Sequence, residues 1–169
     1  MRMTLWLVAL IAPAAIASAP VSSAATRQRA VPLHIQNEIK RRVPGYLRYV
    51  PTKLPAHSSF RSWSYLPKSA HRRNALVIRF STQIRPDDTA SLVYIVGEHP
   101  CSYYRPTGKK YRFPGHVVPL VYSRGNIHLD VNVWGCARHR GTRVPIRISS
   151  VGVPPRSLAG AVALSRRLG

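Results

Sequence analysis

The sequence predicts an α+β fold, with a mostly antiparallel sheet of five to six strands, an N-terminal and a C-terminal helix, and one disulfide. Three observations support this class. Apolar residues at helical spacing occur near both ends of the chain, and short segments rich in β-branched and aromatic residues lie between them. Strands that follow one another directly favour an antiparallel sheet with helices on one face. Two cysteines follow the ends of two of these segments.

The N-terminal helix is predicted over residues 31–43. Ile35, Ile39 and Val43 recur four residues apart and form one apolar stripe along it. Pro32 suits the first turn of a helix, because its missing N–H would have no partner there.

The C-terminal helix is predicted to start at Ser157, whose side chain can cap it. Its apolar face is formed by Leu158, Ala161, Val162, Ser165 and Leu168. Arg166 and Arg167 are expected in its last turn, where cations complement the helix dipole.

Six strands are predicted between the helices, at residues 60–66, 75–81, 91–97, 116–123, 126–134 and 143–149. The segment 91–97 is apolar on both faces, which indicates a central strand, whereas Pro119 makes 116–123 an edge or irregular strand. Strict alternation places Trp63 and Tyr65 on the face of the first strand opposite Phe60.

Residues 1–25 have the order of a secretory signal peptide: Arg2, an apolar run, and a small-residue end at Ala24-Ala25. The alternative is an uncleaved membrane anchor. The run is interrupted by Pro13 and is shorter than the roughly 20 residues that span a bilayer. We therefore expect residues 26–169 to form a single secreted, extracytoplasmic domain without a transmembrane span.

The charge balance is strongly basic. The chain has 26 Lys and Arg against 5 Asp and Glu, a net charge of +21, and arginine supplies 21 of the 26. One interpretation is a surface that contacts anionic polymers or lipids. The other is arginine-rich codon usage, which does not explain the scarcity of carboxylates. Because no nucleic-acid-binding motif accompanies the charge, we expect no specific nucleic-acid partner.

The basic residues predicted to contact anions lie in two stretches, the loop 104–115 and the segment after the second cysteine. They are Arg105, Lys109, Lys110, Arg112, Arg138, Arg140, Arg143 and Arg147. The alternative for the first stretch is an ordinary hairpin tip.

Cys101 and Cys136 are interpreted as one disulfide that pins the sheet, since both follow strand ends in a chain with an export signal. A metal site that also used His99 and His139 is the alternative. It is disfavoured because His-x-Cys places both side chains on one strand face, whereas Cys-x-x-His needs a turn.

Catalytic patterns are few. The chain's carboxylates are Glu38, Asp87, Asp88, Glu98 and Asp130, too few for most paired-carboxylate chemistry. His128 and Asp130 share a strand face and could form a base and its orienting partner, but no nucleophile motif accompanies them. We expect no catalytic residue, metal or cofactor.

Two segments resemble parts of a known group of domains. The segment "YVPTKLPAHSSFRSWSY" (49–65) is similar to the V-P-x-x-L-P-x-G-aromatic entry of small extracytoplasmic β-rich domains of Gram-positive bacteria, although Ala56-His57 stands where a glycine is usual. Residues 131–168 resemble their ending. Those domains are attached to anti-sigma factors or secreted, and the resemblance implies a similar fold and no general catalytic residues.

The sequence thus predicts a monomeric, secreted, non-enzymatic binding or envelope-associated protein. Its expected partners are anionic envelope polymers or lipids. The alternative is a small secreted hydrolase that uses His128 and Asp130, or a metal held by His99, Cys101, Cys136 and His139.

Overall fold

The computed structural model describes residues 30–169 except 71, 104–109, 114–115 and 123–130. Its helices are α1, Leu33–Arg42, and α2, Pro155–Ala163. Its strands are β1 Tyr49–Pro51, β2 Ser58–Leu66, β3 Ala75–Arg85, β4 Asp88–Gly97, β5 Lys110–Phe113, β6 His116–Tyr122, β7 Val131–His139, β8 Thr142–Ser150 and β9 Ser165–Arg167.

The strands form two antiparallel sheets. The larger has seven strands in the order β2-β3-β4-β8-β7-β6-β5, and β1 pairs with β9 in the smaller. The α+β class with two helices, a mostly antiparallel sheet and one disulfide is confirmed. The prediction of five to six strands was too low, because strands of three or four residues carry too little periodicity to be recognised.

The main core lies against one face of the large sheet. Ile78 of β3, Tyr94 of β4 and Ile148 of β8 are fully buried there, and they pack with Ile39 of α1 and Leu158 of α2. Sequence alternation predicts one inward face for 75–81, at Leu76, Ile78 and Phe80, and one for 143–149, at Val144, Ile146 and Ile148. All six residues are buried in this core, which confirms both predictions. The central position predicted for 91–97 is also confirmed, because β4 lies between β3 and β8.

The alternation predicted for β2 was wrong at its start. Phe60 pairs with Phe80, but the next pair is Ser62 with Arg79, so Arg61 is an extra residue in a β-bulge. The bulge reverses the alternation, and Phe60 therefore packs against the same core as Trp63. The Phe60 and Phe80 rings meet edge to face with centroids 6.2 Å apart.

The edge position predicted for the segment containing Pro119 was also wrong. β6 has a neighbour on each side, β5 and β7. Pro119 itself pairs with Lys110 of β5, and the described pairs with β7 begin one residue later, at Leu120 opposite Val133. The missing N–H of the proline is thus placed where pairing with β7 starts.

The C-terminal helix is shorter than predicted, and the cap predicted at Ser157 was wrong, because the helix begins at Pro155 with Pro154 as its N-cap. It ends at Ala163, and Ser165–Arg167 form β9, in which Arg166 lies opposite Val50 and Arg167 opposite Tyr49. Leu168 is buried in the core beyond the strand. Pairing with a distant strand therefore overrides the local helical pattern.

The predicted strand 126–134 is only partly covered, because residues 126–130 lie outside the described residues. From Val131 the strand is present and continues to His139. Within the described part of the chain, neither helix has the length and apolar character that crossing a membrane requires.

Candidate anion-binding surface

The disulfide fixes the segment after β4 to β7. Cys101 and Cys136 are bonded with an S–S distance of 2.03 Å and a Cα–Cα distance of 6.2 Å, which confirms the predicted pairing. Both sulfurs are therefore used in the bond, whereas the alternative metal site needs thiolate ligands. Among the described residues, no cluster of three or more His, Cys, Asp or Glu could hold a metal ion.

Strand register brings several connections to one end of the large sheet. Ala75 lies opposite both Leu66 and Gly97, so the β2–β3 connection and the segment after β4 are at the same end. Ile146 lies opposite Val96, which places the start of β8 there as well.

Seven basic residues occupy this end, which we call the basic end. They are Lys68, Arg72, Arg73, Arg112, Arg138, Arg140 and Arg143. All are exposed to solvent except Arg72, which is half-buried. Four of the eight predicted anion-contact residues are thus brought together with three from the β2–β3 connection.

Arg112 reaches the basic end through β6. It lies in β5 opposite Val117, and β6 runs antiparallel to β7 with Leu120 opposite Val133. The Arg112–Val117 pair therefore lies toward the end of β7 that contains residues 136–139.

The β7–β8 hairpin carries three of the arginines. Its turn consists of Arg140 and Gly141, with φ values of 47° and 79°, the positive values of a two-residue turn that matches strand twist. The turn sets the register in which Arg138 lies directly opposite Arg143.

Backbone hydrogen bonds join the connections to each other. The Arg73 N–H donates to the Glu98 carbonyl at 3.0 Å, and the Glu98 N–H donates to the Asn74 carbonyl at 3.3 Å. The Asn74 side chain accepts from the Lys68 N–H at 2.7 Å. These hydrogen bonds therefore fix the β2–β3 connection, which contains three of the basic residues, against the segment after β4.

The other predicted contact residues are placed differently. Arg147 lies in β8, and its Nη2 contacts the Glu98 Oε2 at 2.8 Å with both side chains about three-quarters buried, at 24% and 23% exposure. Arg147 is therefore in an ion pair with Glu98 and is not part of the exposed basic surface. Lys110 is in β5, while Arg105 and Lys109 lie outside the described residues.

Carboxylates are separated from the basic end. Asp87 and Asp88 lie at the β3–β4 turn, at the opposite end of the sheet, and Glu38 is on α1. Of the carboxylates that the structure describes, Glu98 alone lies at the basic end, and Arg147 neutralises it.

The pKa of His139 is sensitive to the arginine charges beside this surface. Its pKa is lowered from 6.5, first by partial desolvation and then by the nearby charges of Arg167 and Arg140. Tyr49, which faces Arg167 across β1–β9, donates from its hydroxyl to the Arg138 carbonyl at 3.3 Å. Burial raises the pKa of Tyr49, so its phenol stays neutral.

Sequence reasoning did not identify Arg167 as a neighbour of the site. It placed this residue on a helix, and the β1–β9 pairing that brings it to His139 joins segments from opposite ends of the domain. The proposed catalytic pair, His128 and Asp130, lies outside the described residues.

Comparison of the chain with protein-family models, with curated proteins and with solved structures gives no match.

Proposed function

We propose that this protein is a secreted, non-enzymatic binding protein of the cell envelope, which contacts anionic polymers or lipids through the basic end. The observation that supports the proposal is that basic side chains are concentrated at one end of the sheet, where almost no negative charge opposes them. Seven basic side chains lie at one end of the sheet, where the one described carboxylate is already paired.

The chemistry of arginine supports an anionic partner. Its planar guanidinium donates two parallel hydrogen bonds to a phosphate or carboxylate and keeps its charge at every physiological pH. Several such groups on one surface raise the local potential and attract a polyanion from a distance.

The export signal and the disulfide support the location. A cleaved peptide at residues 1–25 would deliver residues 26–169 to a compartment where disulfides persist. Anionic polymers and anionic lipid headgroups are both exposed in such a compartment. The small number of carboxylates and the lack of a nucleophile motif support binding instead of catalysis.

Binding should be measured against long-chain polyphosphate and against vesicles of phosphatidylglycerol, with phosphatidylcholine vesicles as the neutral control. We expect affinity to fall steeply with salt, because each neutralised phosphate releases a counterion. The triple variant Arg112→Ser/Arg138→Ser/Arg143→Ser should show a smaller salt slope, by about 0.7 to 0.9 per lost contact, as for nucleic-acid phosphates.

A matched variant controls for total charge. Arg79→Ser/Arg85→Ser/Arg156→Ser removes three exposed arginines away from the basic end and should bind like the parent protein. Equal losses in the two triple variants would show that only net charge matters. Failure of the parent to bind either anionic probe at physiological salt would overturn the proposal.

A further inference from the structure

A groove distinct from the basic end lies on the molecule. Its walls are the start of α1, β1 with the residues after it, and the start of β2, and its volume is about 900 Å³. The start of β2 pairs with the end of β3, near the β3–β4 turn, and none of the seven residues of the basic end lines the groove. This volume is within the range of small-molecule sites.

The groove is positively charged. Arg166 from β9 and Lys53 from the segment after β1 both line it, and none of the described lining residues carries a carboxylate. It also lies beside the N-terminus of α1, whose first turn contains no acidic residue. Its electrostatic potential therefore favours a ligand with a negative charge.

The guanidinium of Arg166 is held in position by a buried side chain. Gln36 is only 4% exposed. Its amide nitrogen donates to the Val31 carbonyl at 2.7 Å, and its amide oxygen accepts from Nη2 of Arg166 at 3.1 Å. Because Gln36 is fixed at both ends of its amide, Arg166 is oriented before any ligand arrives, and its other N–H groups remain for a ligand.

The rest of the lining offers both apolar and hydroxyl groups. Leu54 and Phe60 are half-buried and present apolar surface to the groove, next to the buried Val50. Ser59 is exposed, and Ser58 has a buried Oγ without a hydrogen-bond partner in the structure. An apolar chain fits the first set, and an oxygen-bearing head fits the second.

We propose that this groove binds a small amphiphile with one anionic head, carboxylate or phosphate, and a short apolar chain. The head contacts Arg166 and Lys53, and the chain lies along Leu54 and Phe60. This inference does not depend on the function proposed for the basic end.

The test is calorimetric titration of the exported, oxidised protein with octanoate, octyl phosphate and 1-octanol, which share one chain length. We expect at least one anionic probe to bind, and octanol to bind about tenfold more weakly or not at all, as the loss of a charge-assisted hydrogen bond implies. The stronger of the two anionic probes then identifies the head group. Octanol binding as tightly as both anions, or no binding by either anion, would overturn the proposal.

Variants locate the binding site. Arg166→Gln should weaken anion binding about tenfold, while Arg156→Gln, an exposed arginine outside the groove, should leave it unchanged. Ser59→Trp keeps both cations but fills the groove, and should abolish binding even if Arg166→Gln proves unstable. Arg138→Ser/Arg143→Ser should bind the stronger anionic probe like the parent; loss of binding in this variant would place the probe on the basic end and refute the groove.

Discussion

Arg138 and Arg143 lie directly opposite each other on the β7–β8 hairpin, both exposed on the same face of the sheet. Like charges in directly opposed positions destabilise a sheet. Neither residue has a salt bridge in the structure, in which the described ion pair joins Arg147 and Glu98. A polyanion that bound this pair would relieve the repulsion, so the same arrangement weakens the free protein and favours the complex.

Arg143→Glu should stabilise the free protein by about 0.5–1 kcal/mol, because an opposed pair of like charges becomes a pair of opposite charges. Urea denaturation measures the change. The double variant Arg138→Glu/Arg143→Glu restores two like charges while lowering the net charge further. If the double variant is more stable than the single one, the gain comes from net charge and not from the pair.

Glu98→Gln should increase affinity for polyphosphate, because it removes the one described carboxylate at the basic end. Its cost in stability should be about 1–3 kcal/mol, since the ion pair with Arg147 is about three-quarters buried and joins two charged groups by a hydrogen bond. Asp87→Asn makes the same change in charge at the far end of the sheet and serves as the control. An equal increase in both variants would contradict a localised binding surface.

Replacing both cysteines, as Cys101→Ser/Cys136→Ser, should lower the free energy of unfolding by about 3–4 kcal/mol on the chain-entropy model. The two cysteines are 35 residues apart, and the bond restricts the unfolded chain over that loop. Urea unfolding of the oxidised parent and the double variant gives the difference. Reductant should destabilise the parent and leave the variant unchanged; alkylation of two thiols in the native, unreduced parent would contradict the disulfide.

His139 should titrate below 6.5 in the folded protein, since desolvation and then Arg167 and Arg140 disfavour its protonated form. Its contribution to stability is therefore complete above the pKa of the unfolded state. It is lost as the pH falls through the lower folded pKa, because the unfolded chain takes up the proton first. Comparison of the parent with His139→Gln over this pH range isolates the effect from the other histidines.

The same histidine can report binding. A polyanion beside Arg140 would offset the cationic field, so the pKa of His139 measured by NMR should rise when polyphosphate is added. A pKa that stays constant at saturating polyphosphate would show that the anion binds elsewhere.

Gly97→Ala should cost about 2 kcal/mol or more of stability. Gly97 has a φ of 93°, and an added Cβ would lie 2.3 Å from the Asn74 carbonyl oxygen and 2.8 Å from a methyl carbon of Leu47. Gly45→Ala is the matched control, since no atom lies within 4 Å of its added Cβ. Its stability should stay within about 0.5 kcal/mol of the parent. Thermal unfolding of the two variants measures both effects, and similar melting temperatures would contradict the close backbone approach at Gly97.

The local sequence pattern was sufficient to predict a helix or strand where one face of that element is buried. The alternation of Leu76, Ile78 and Phe80 predicted the inward face of β3, and the spacing of Ile35, Ile39 and Val43 predicted α1. These predictions are correct because burial of one face requires apolar residues at the period of that element, about 3.6 residues for a helix and two for a strand. The pairing of the two cysteines was predictable for another reason, since a chain with two cysteines has one way to join them within itself.

For the basic end, the sequence predicted some of the residues but not their arrangement. The sequence names Arg112, Arg138, Arg140 and Arg143 as basic residues near the cysteines, but it does not contain the register that places them with Arg72-Arg73. His57 illustrates the same limit in the segment 49–65. Its φ of 56° lies in the left-handed region that favours glycine, a conformation that the residue type alone does not indicate.

Arg166 and Arg167 show most clearly what the tertiary structure decided. By sequence they form the last turn of an amphipathic helix, where their charges would complement the dipole. In the structure they lie on a three-residue strand paired with β1, where Arg166 donates to Gln36 at the groove and Arg167 lies near His139 beside the basic end. A strand this short has no periodic signal of its own, and its partner comes from the other end of the domain. Its conformation is therefore set by backbone pairing and by the burial of Leu168, neither of which exists until the chain has folded.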